Sequence, residues 1–431
     1  MMRTLSTLCF TLMLVGTATS QTPPAAATEN EQKGRELFRA GKVAESLAQL
    51  QLAVKANPQL PPAKVMLADL FLKAGNGPQA RIQLEQAAAE DPENPDVLAF
   101  NGQIALAEGR LTDAILNYQA ALQSAQSPRW DAAQRKKFAR FAHLGLATGY
   151  LTRRDYKSAR THVQAVLIDD PKNGPIRQQA AAIRFFLDQP DEAYKEFLES
   201  FADDPTLDPP ELSLASLWDG KGKHEEAEKW FKKGAELRAN SEKIARGYAR
   251  WLMDRGRVAD AKPYLDSAAK LDPSSRETTA LLGLAARYRK DFVAAEKIFE
   301  EMSRNAPADA FAAWNLAISL AESDDAKKRQ RAIDVAEVAF KQNSRSAEGI
   351  AVLGWCYFKA GRIDEADKAL RAAAGAGPVA RDTAYYLSKV LAEKGNTADA
   401  KRALKDSILA TGPFVYKTDA EKFLADLEKK P

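Results

Sequence analysis

"AGKVAESLAQLQLAVKANP" at residues 40–58 and "AGRIDEADKALRAAAGAGP" at residues 360–378 are one pattern written twice, 320 residues apart. Each runs Ala-Gly, a basic residue, a β-branched residue, then an amphipathic stretch that ends at proline. The glycine reads as a helix end, because it takes the left-handed backbone conformation at no steric cost. The stretch that follows spaces its apolar residues as a helix does. The proline cannot continue that helix, yet it tolerates the start of another. Each stretch is therefore the second half of a helix–turn–helix pair.

Sliding the pattern along the chain finds a small residue in every second helix, at Ser46, Ala80, Ala114, Ala159, Ala193, Ala227, Ala261, Ala295, Ala332, Ala366 and Ala400. The steps are 34, 34, 45, 34, 34, 34, 34, 37, 34 and 34, so the period belongs to the chain. Twelve residues earlier (fifteen in the ninth unit) stands another small column: Gly34, Ala68, Gly102, Ala147, Ala181, Ala215, Ala249, Gly283, Ala317, Gly354 and Ser388. A bulky side chain where two helices cross closely would hold the backbones apart, at a cost of about 1–3 kcal/mol. Large apolar residues lie between the columns, among them Leu50, Tyr118, Phe299 and Leu370. Glycine marks the turn at Gly41, Gly75, Gly109, Gly222, Gly256, Gly361 and Gly395; the fourth, fifth, eighth and ninth units lack it. Prolines close second helices at Pro58, Pro92, Pro171, Pro205, Pro273, Pro307 and Pro378.

The period, the paired small columns, the turn glycine and the closing proline make the chain resemble the tetratricopeptide repeat family over residues 29–413, as eleven units. "VLGWCYFKAGRIDEA" (Val352–Ala366) carries the likeness most fully. The resemblance implies an all-α fold, an α-solenoid of stacked antiparallel helix pairs wound as a right-handed superhelix. One such pair cannot bury its apolar side alone, and stacked copies bury it against each other. "SAQSPRWDAAQRK" (Ser124–Lys136) and "DDAKKRQ" (Asp324–Gln330) lengthen two connections. Residues 414–431 read as a capping helix, with Thr418-Asp419-Ala420-Glu421 as a capping box.

The ends and composition bound the setting. Arg3, the apolar Leu8–Val15 and Ala18-Thr19-Ser20 have the order of an export signal over residues 1–20. Residues 21–28 then read as a flexible Pro/Ala-rich leader. The apolar stretch is shorter than the roughly 20 residues a bilayer span needs. Cleavage leaves one thiol, Cys356, of the two cysteines, Cys9 and Cys356, which fits a bacterial periplasm better than a disulfide-rich exterior, though secretion stays open. The 431 residues are 45% hydrophobic and 28% charged, as in a folded soluble protein. A net charge of +4, from 62 basic and 58 acidic residues, exerts no general pull on nucleic acid.

No catalytic constellation is legible, and neither a cofactor nor a metal is expected. The histidines are His143, His162 and His224, and only the first two can approach each other, within the fourth unit. "DGKGKHEEA" (Asp219–Ala227) lacks the spacing of a phosphate loop. Asp169-Asp170 and Asp203-Asp204 precede prolines at helix ends and read as turn residues.

What remains is the inner face. The resemblance implies a groove lined by first helices that holds peptide segments. Carried over by position, Phe311, Trp314, Trp355, Phe358, Tyr385 and Lys389 would form an aromatic trough, unless those rings pack between helices instead. Lys243, Arg246, Arg250 and Arg287 would form a basic strip facing an acidic peptide, unless local acids such as Glu242 and Asp254 neutralise it. The family's chaperone-tail clamp sets Lys and Asn one helical turn apart; pairs such as Arg246/Arg250 and Tyr385/Lys389 do not match it. The expectation is a non-catalytic protein- or peptide-binding scaffold of the bacterial envelope. A structural spacer and an enzyme of unrecognised type are the alternatives.

Overall fold

A computed structural model describes residues 25–342, 346–376, 379–409 and 413–429. The export signal, Cys9, the start of the leader and Pro378 lie outside the described residues. The described residues form helices and no strand. In chain order they are α1 (Ala25–Arg39), α2 (Val43–Ala56), α3 (Ala63–Lys73), α4 (Gly77–Glu90), α5 (Pro95–Ala107), α6 (Leu111–Ser124), α7 (Ala132–Thr152), α8 (Tyr156–Asp169), α9 (Gly174–Phe186), α10 (Pro190–Asp203), α11 (Pro210–Gly220) and α12 (His224–Leu237). Then follow α13 (Glu242–Asp254), α14 (Val258–Leu271), α15 (Arg276–Tyr288), α16 (Phe292–Asn305), α17 (Ala310–Ala321), α18 (Ala326–Gln342), α19 (Ala347–Lys359), α20 (Ile363–Gly375), α21 (Arg381–Glu393), α22 (Thr397–Leu409) and α23 (Lys417–Glu428). The chain divides into two bodies between Lys229 and Trp230, inside α12.

Within each body, consecutive helices pair and the pairs stack. The small columns are the reason. All eleven second-helix positions, Ser46 to Ala400, are fully buried, as are the alanines of the first column. The residue opposite the first column lies sixteen positions on in the sequence. A Cβ built on Gly34 would sit 2.9 Å from Leu50 Cδ2, on Gly283 2.6 Å from Phe299 Cζ, and on Gly354 2.7 Å from Leu370 Cγ. A large residue of the second helix thus drops into the space that a missing side chain leaves on the first. In the first unit the Ser46 hydroxyl adds a 2.8 Å hydrogen bond to the Gly34 carbonyl.

The turns of ten units follow one recipe, including three without glycine; the lengthened turn of the ninth has no residue of positive φ. In the first unit the Lys42 N–H donates to the Leu37 carbonyl at 2.9 Å, with Gly41 at φ 77°. Arg154, Asp188 and Lys290 hold φ near 60° at the same place in the fourth, fifth and eighth units. A non-glycine residue there costs about 1–2 kcal/mol. Glycine's own entropy returns about 0.5–1 kcal/mol of that. Arg154→Gly is therefore expected to stabilise the first body by up to about 1 kcal/mol. Thermal melting of the full chain checks the sign. Asp188→Gly should gain less, because it gives up the 3.1 Å pair with Lys221.

Two expectations need correction. The first helix opens at Ala25, inside the stretch read as leader, so its end is helical. The C-terminal helix starts at Lys417 after Tyr416, with no side-chain cap, so Thr418 lies inside the first turn and makes no capping box. A true capping box occurs instead at Asp131 and Gln134, where the lengthened connection opens the 21-residue α7.

Candidate functional site

The second body carries a cleft of about 500 Å³ between first helices α19 and α21 and the terminal α23. Its walls include Glu322, Trp355, Phe358, Lys359, Tyr385, Lys389, Tyr416, Asp419 and Phe423. Glu322 follows α17 and organises one side. Its Oε1 accepts the Trp355 indole N–H at 2.8 Å and the Tyr416 hydroxyl at 2.7 Å. Its Oε2 accepts from Lys359 Nζ at 2.9 Å. These three donors satisfy a largely buried carboxylate.

Aromatic rings build the floor. Trp355 stacks on Tyr386 at 4.2 Å between centroids and on Phe358 at 5.3 Å. Tyr385 stacks on Tyr416 at 4.8 Å. Lys389 sets its ammonium 3.8 Å from the Phe423 centroid. Burial there lowers the Lys389 pKa from the usual lysine range, with nearby Asp419 opposing.

The sequence-derived trough is partly assembled. Trp355 and Tyr385 are only 3% and 4% exposed, so each shows an edge to the cleft and packs the rest into the core. Phe358 and Lys389 are half-buried and open to it. Trp314 does not line it; its ring lies over Gly349, in the packing between α17 and α19. Phe311 packs edge-on against Phe299, at 6.0 Å. The strongest signals missed in the sequence are Glu322, Tyr416, Asp419 and Phe423. The run Phe414-Val415-Tyr416, just past the last period, was the one visible mark of Tyr416, and Asp419 was read only as part of a cap.

The basic strip does not form as a free surface. Arg287 is 6% exposed; it donates to Asn315 Oδ1 and sits 3.8 Å from Asp382. Arg246 pairs with Glu242 at 2.6 Å, and Glu242 also accepts from Thr278 and Ser275. Burial alone would raise the Glu242 pKa, but these donors outweigh it and hold the carboxyl below its usual range. Lys243 is half-buried and Arg250 exposed on the same helix.

Elsewhere the residues that could carry chemistry are structurally engaged. Cys356 is fully buried, its thiol pushed up by desolvation. Asp170 accepts from Asn173 and Arg140, and Asp203 pairs with Arg177. Among the described residues no three His, Cys, Asp or Glu side chains gather as metal ligands.

His143 and His162 do meet, their Nδ1 atoms 2.9 Å apart, with the His162 ring stacked on Tyr150. One ring must donate and the other accept, so the pair requires at least one neutral imidazole. Burial lowers both pKa values from the ordinary 6.5, although Asp169 opposes this at His143. The unfolded chain therefore binds more protons than the folded one just below the ordinary value. Stability is full above it and is lost as pH falls through it toward the depressed folded values. Hydrogen exchange in α7 and α8 should accelerate, beyond its intrinsic pH dependence, from about pH 7.5 to about pH 5.5, and His143→Gln should flatten that change.

The tetratricopeptide repeat family model matches residues 65–128, 249–310 and 351–414. The chain thus carries tetratricopeptide repeats in three segments, the last ending two residues before Tyr416. No curated protein matches the chain. Among solved structures it is similar to yeast Tom70, at 14% identity over 93% of this chain and 95% of that one, with a TM-score of 0.36. It is similar to a thermophilic TPR protein of Thermus thermophilus, at 17% identity over 44% and 99%, with a TM-score of 0.38. It is also similar to the APC/C hetero-tetramer Cut9-Hcn1, at 13% identity over 94% and 76%, with a TM-score of 0.43.

Proposed function

We propose that this protein is a non-catalytic scaffold of the bacterial cell envelope, exported to the periplasm, that holds partner proteins by segments laid on the inner faces of its helix pairs. The cleft of the second body carries the reading. It combines apolar rings with charges of both signs, Lys359 and Lys389 against Glu322 and Asp419, in a form suited to a peptide and not to one small reactant. The matched repeats support protein binding in general. The ordered Arg3, Leu8–Val15 and Ala18–Ser20 pattern supports export.

The test is capture in the cell. A photocrosslinking residue at Phe358, in the full-length chain, should trap a partner in the periplasmic fraction. The spacer alternative predicts that changing the open cleft side chains is harmless while removing repeat units is not. Retention of the chain in the cytoplasm, or no crosslinked partner from either body's inner face, would reject the scaffold.

A further inference from the structure

The C-terminal segment does more than end the array. A cap has only to cover α22, and α23 does so: it packs along that helix with Ala420 fully buried and Glu428 3.4 Å from Lys405. Capping does not account for Tyr416 or Asp419. Tyr416 is 4% exposed and reaches across the inner ends of three units, to Glu322 beyond α17, to Trp355 on α19 and to Tyr385 on α21. Asp419 reaches farther, to Lys290 of the eighth unit, at 2.6 Å. Lys290 keeps φ 60° at a turn position that seven other units give to glycine. Phe423 lies under the Lys389 ammonium. Tyr416, Asp419 and Phe423 stand at i, i+3 and i+7, the spacing by which one face of a helix reads a groove.

We propose that the inner face of α17, α19 and α21 is the docking site for a helical partner segment bearing a tyrosine, an acid three residues on and an aromatic ring four beyond it, and that residues 413–428 occupy this site in the free protein. The inference rests on the scaffold reading and adds the partner's chemistry and its control. Glu322 takes the tyrosine hydroxyl, Tyr385 and Trp355 hold its ring, Lys290 takes the acid and Lys389 covers the second ring. The chain's own segment leaves about 500 Å³ beside it unfilled, where a longer partner gains contacts the segment lacks. A partner binds with its intrinsic affinity reduced by the fraction of time the site stands open.

The test uses the full chain and a fluorescent peptide of residues 413–429. Tyr416→Ala in the chain weakens the internal occupant and leaves the receiving residues intact. The peptide should bind that chain about tenfold more tightly than it binds the unaltered chain. A peptide with Tyr416→Ala should bind neither. Adding Lys290→Asp to the Tyr416→Ala chain should weaken binding, and Asp419→Lys in the peptide should restore it. Saturating peptide should also speed hydrogen exchange in α23 of the unaltered chain while α19 and α21 stay protected, a measurement that does not depend on the variant folding. Equal affinity for both chains, no charge-swap rescue, or unchanged α23 exchange at saturation overturns the proposal. If that happens while a crosslinker on the first body still captures a partner, the scaffold reading stands and this inference alone falls.

Discussion

Trp355→Ala unfolds the end of the second body before it reports on binding. The indole is almost wholly enclosed, stacked on Tyr386 and Phe358, edge-on to Tyr416, and hydrogen-bonded to Glu322. Removing a buried tryptophan costs about 3–5 kcal/mol. The Glu322 carboxylate keeps Lys359 and Tyr416 but loses one donor. Trp355→Phe isolates that loss: it preserves a stacking ring and should cost about 1–3 kcal/mol. Stacked repeats open unit by unit, so a single melting temperature would blur the result. Hydrogen exchange in urea should show α19, α21 and α22 opening early in Trp355→Ala, with α1–α10 unaffected. Lost partner capture with unchanged exchange in α19 and α21 would mean that the ring serves the groove and not the core.

That outcome also marks where the sequence stops being informative. The paired columns were legible because a 34-residue step repeated across the chain leaves one physical meaning for an unbroken line of Ala, Gly and Ser. Their complete burial, and the fit of Leu50 to Gly34 and Phe299 to Gly283, follow from helix geometry plus the absence of volume. Three of the four turns without glycine keep the same position, because helix-end hydrogen bonding imposes the left-handed residue whether it is Gly41 or Arg154. The aromatic trough was not. A first-helix residue faces its own partner helix, the next unit or the groove depending on about 100° of rotation per residue. Trp314, Trp355 and Phe358 fell on three different answers. Arg287 illustrates the same limit for charge. Its position matched the basic strip, but Asn315 and Asp382, 28 and 95 residues away, turn it inward. Tyr416 and Asp419 lie beyond the last repeat, so no period predicts their partners.

The same reasoning gives the first body its sharpest test. Tyr118 on α6 is wedged between two glycines. A Cβ on Gly102 would lie 3.1 Å from one edge of its ring, and a Cβ on Gly145 of α7 would collide with the other edge. Phe141 packs against the ring edge-on at 6.4 Å, so it has no third way out. In an open helix Gly→Ala gains about 1 kcal/mol. At Gly145 the sign reverses, because overpacking a closed contact costs about 1–3 kcal/mol, and more for valine. Gly220→Ala supplies the comparison in the same body, since a Cβ there meets nothing within 4 Å. Gly145→Ala should therefore accelerate exchange in α6 and α7 while Gly220→Ala leaves it unchanged or slower. The decisive arm is the pair. Tyr118→Leu alone loses packing, but Gly145→Ala added to it should cost less than it does in the native chain, a coupling that only shared space produces. Equal cost in both backgrounds would show that Tyr118 and Gly145 do not share space, and the account of the packing between the third and fourth units would fail at its tightest contact.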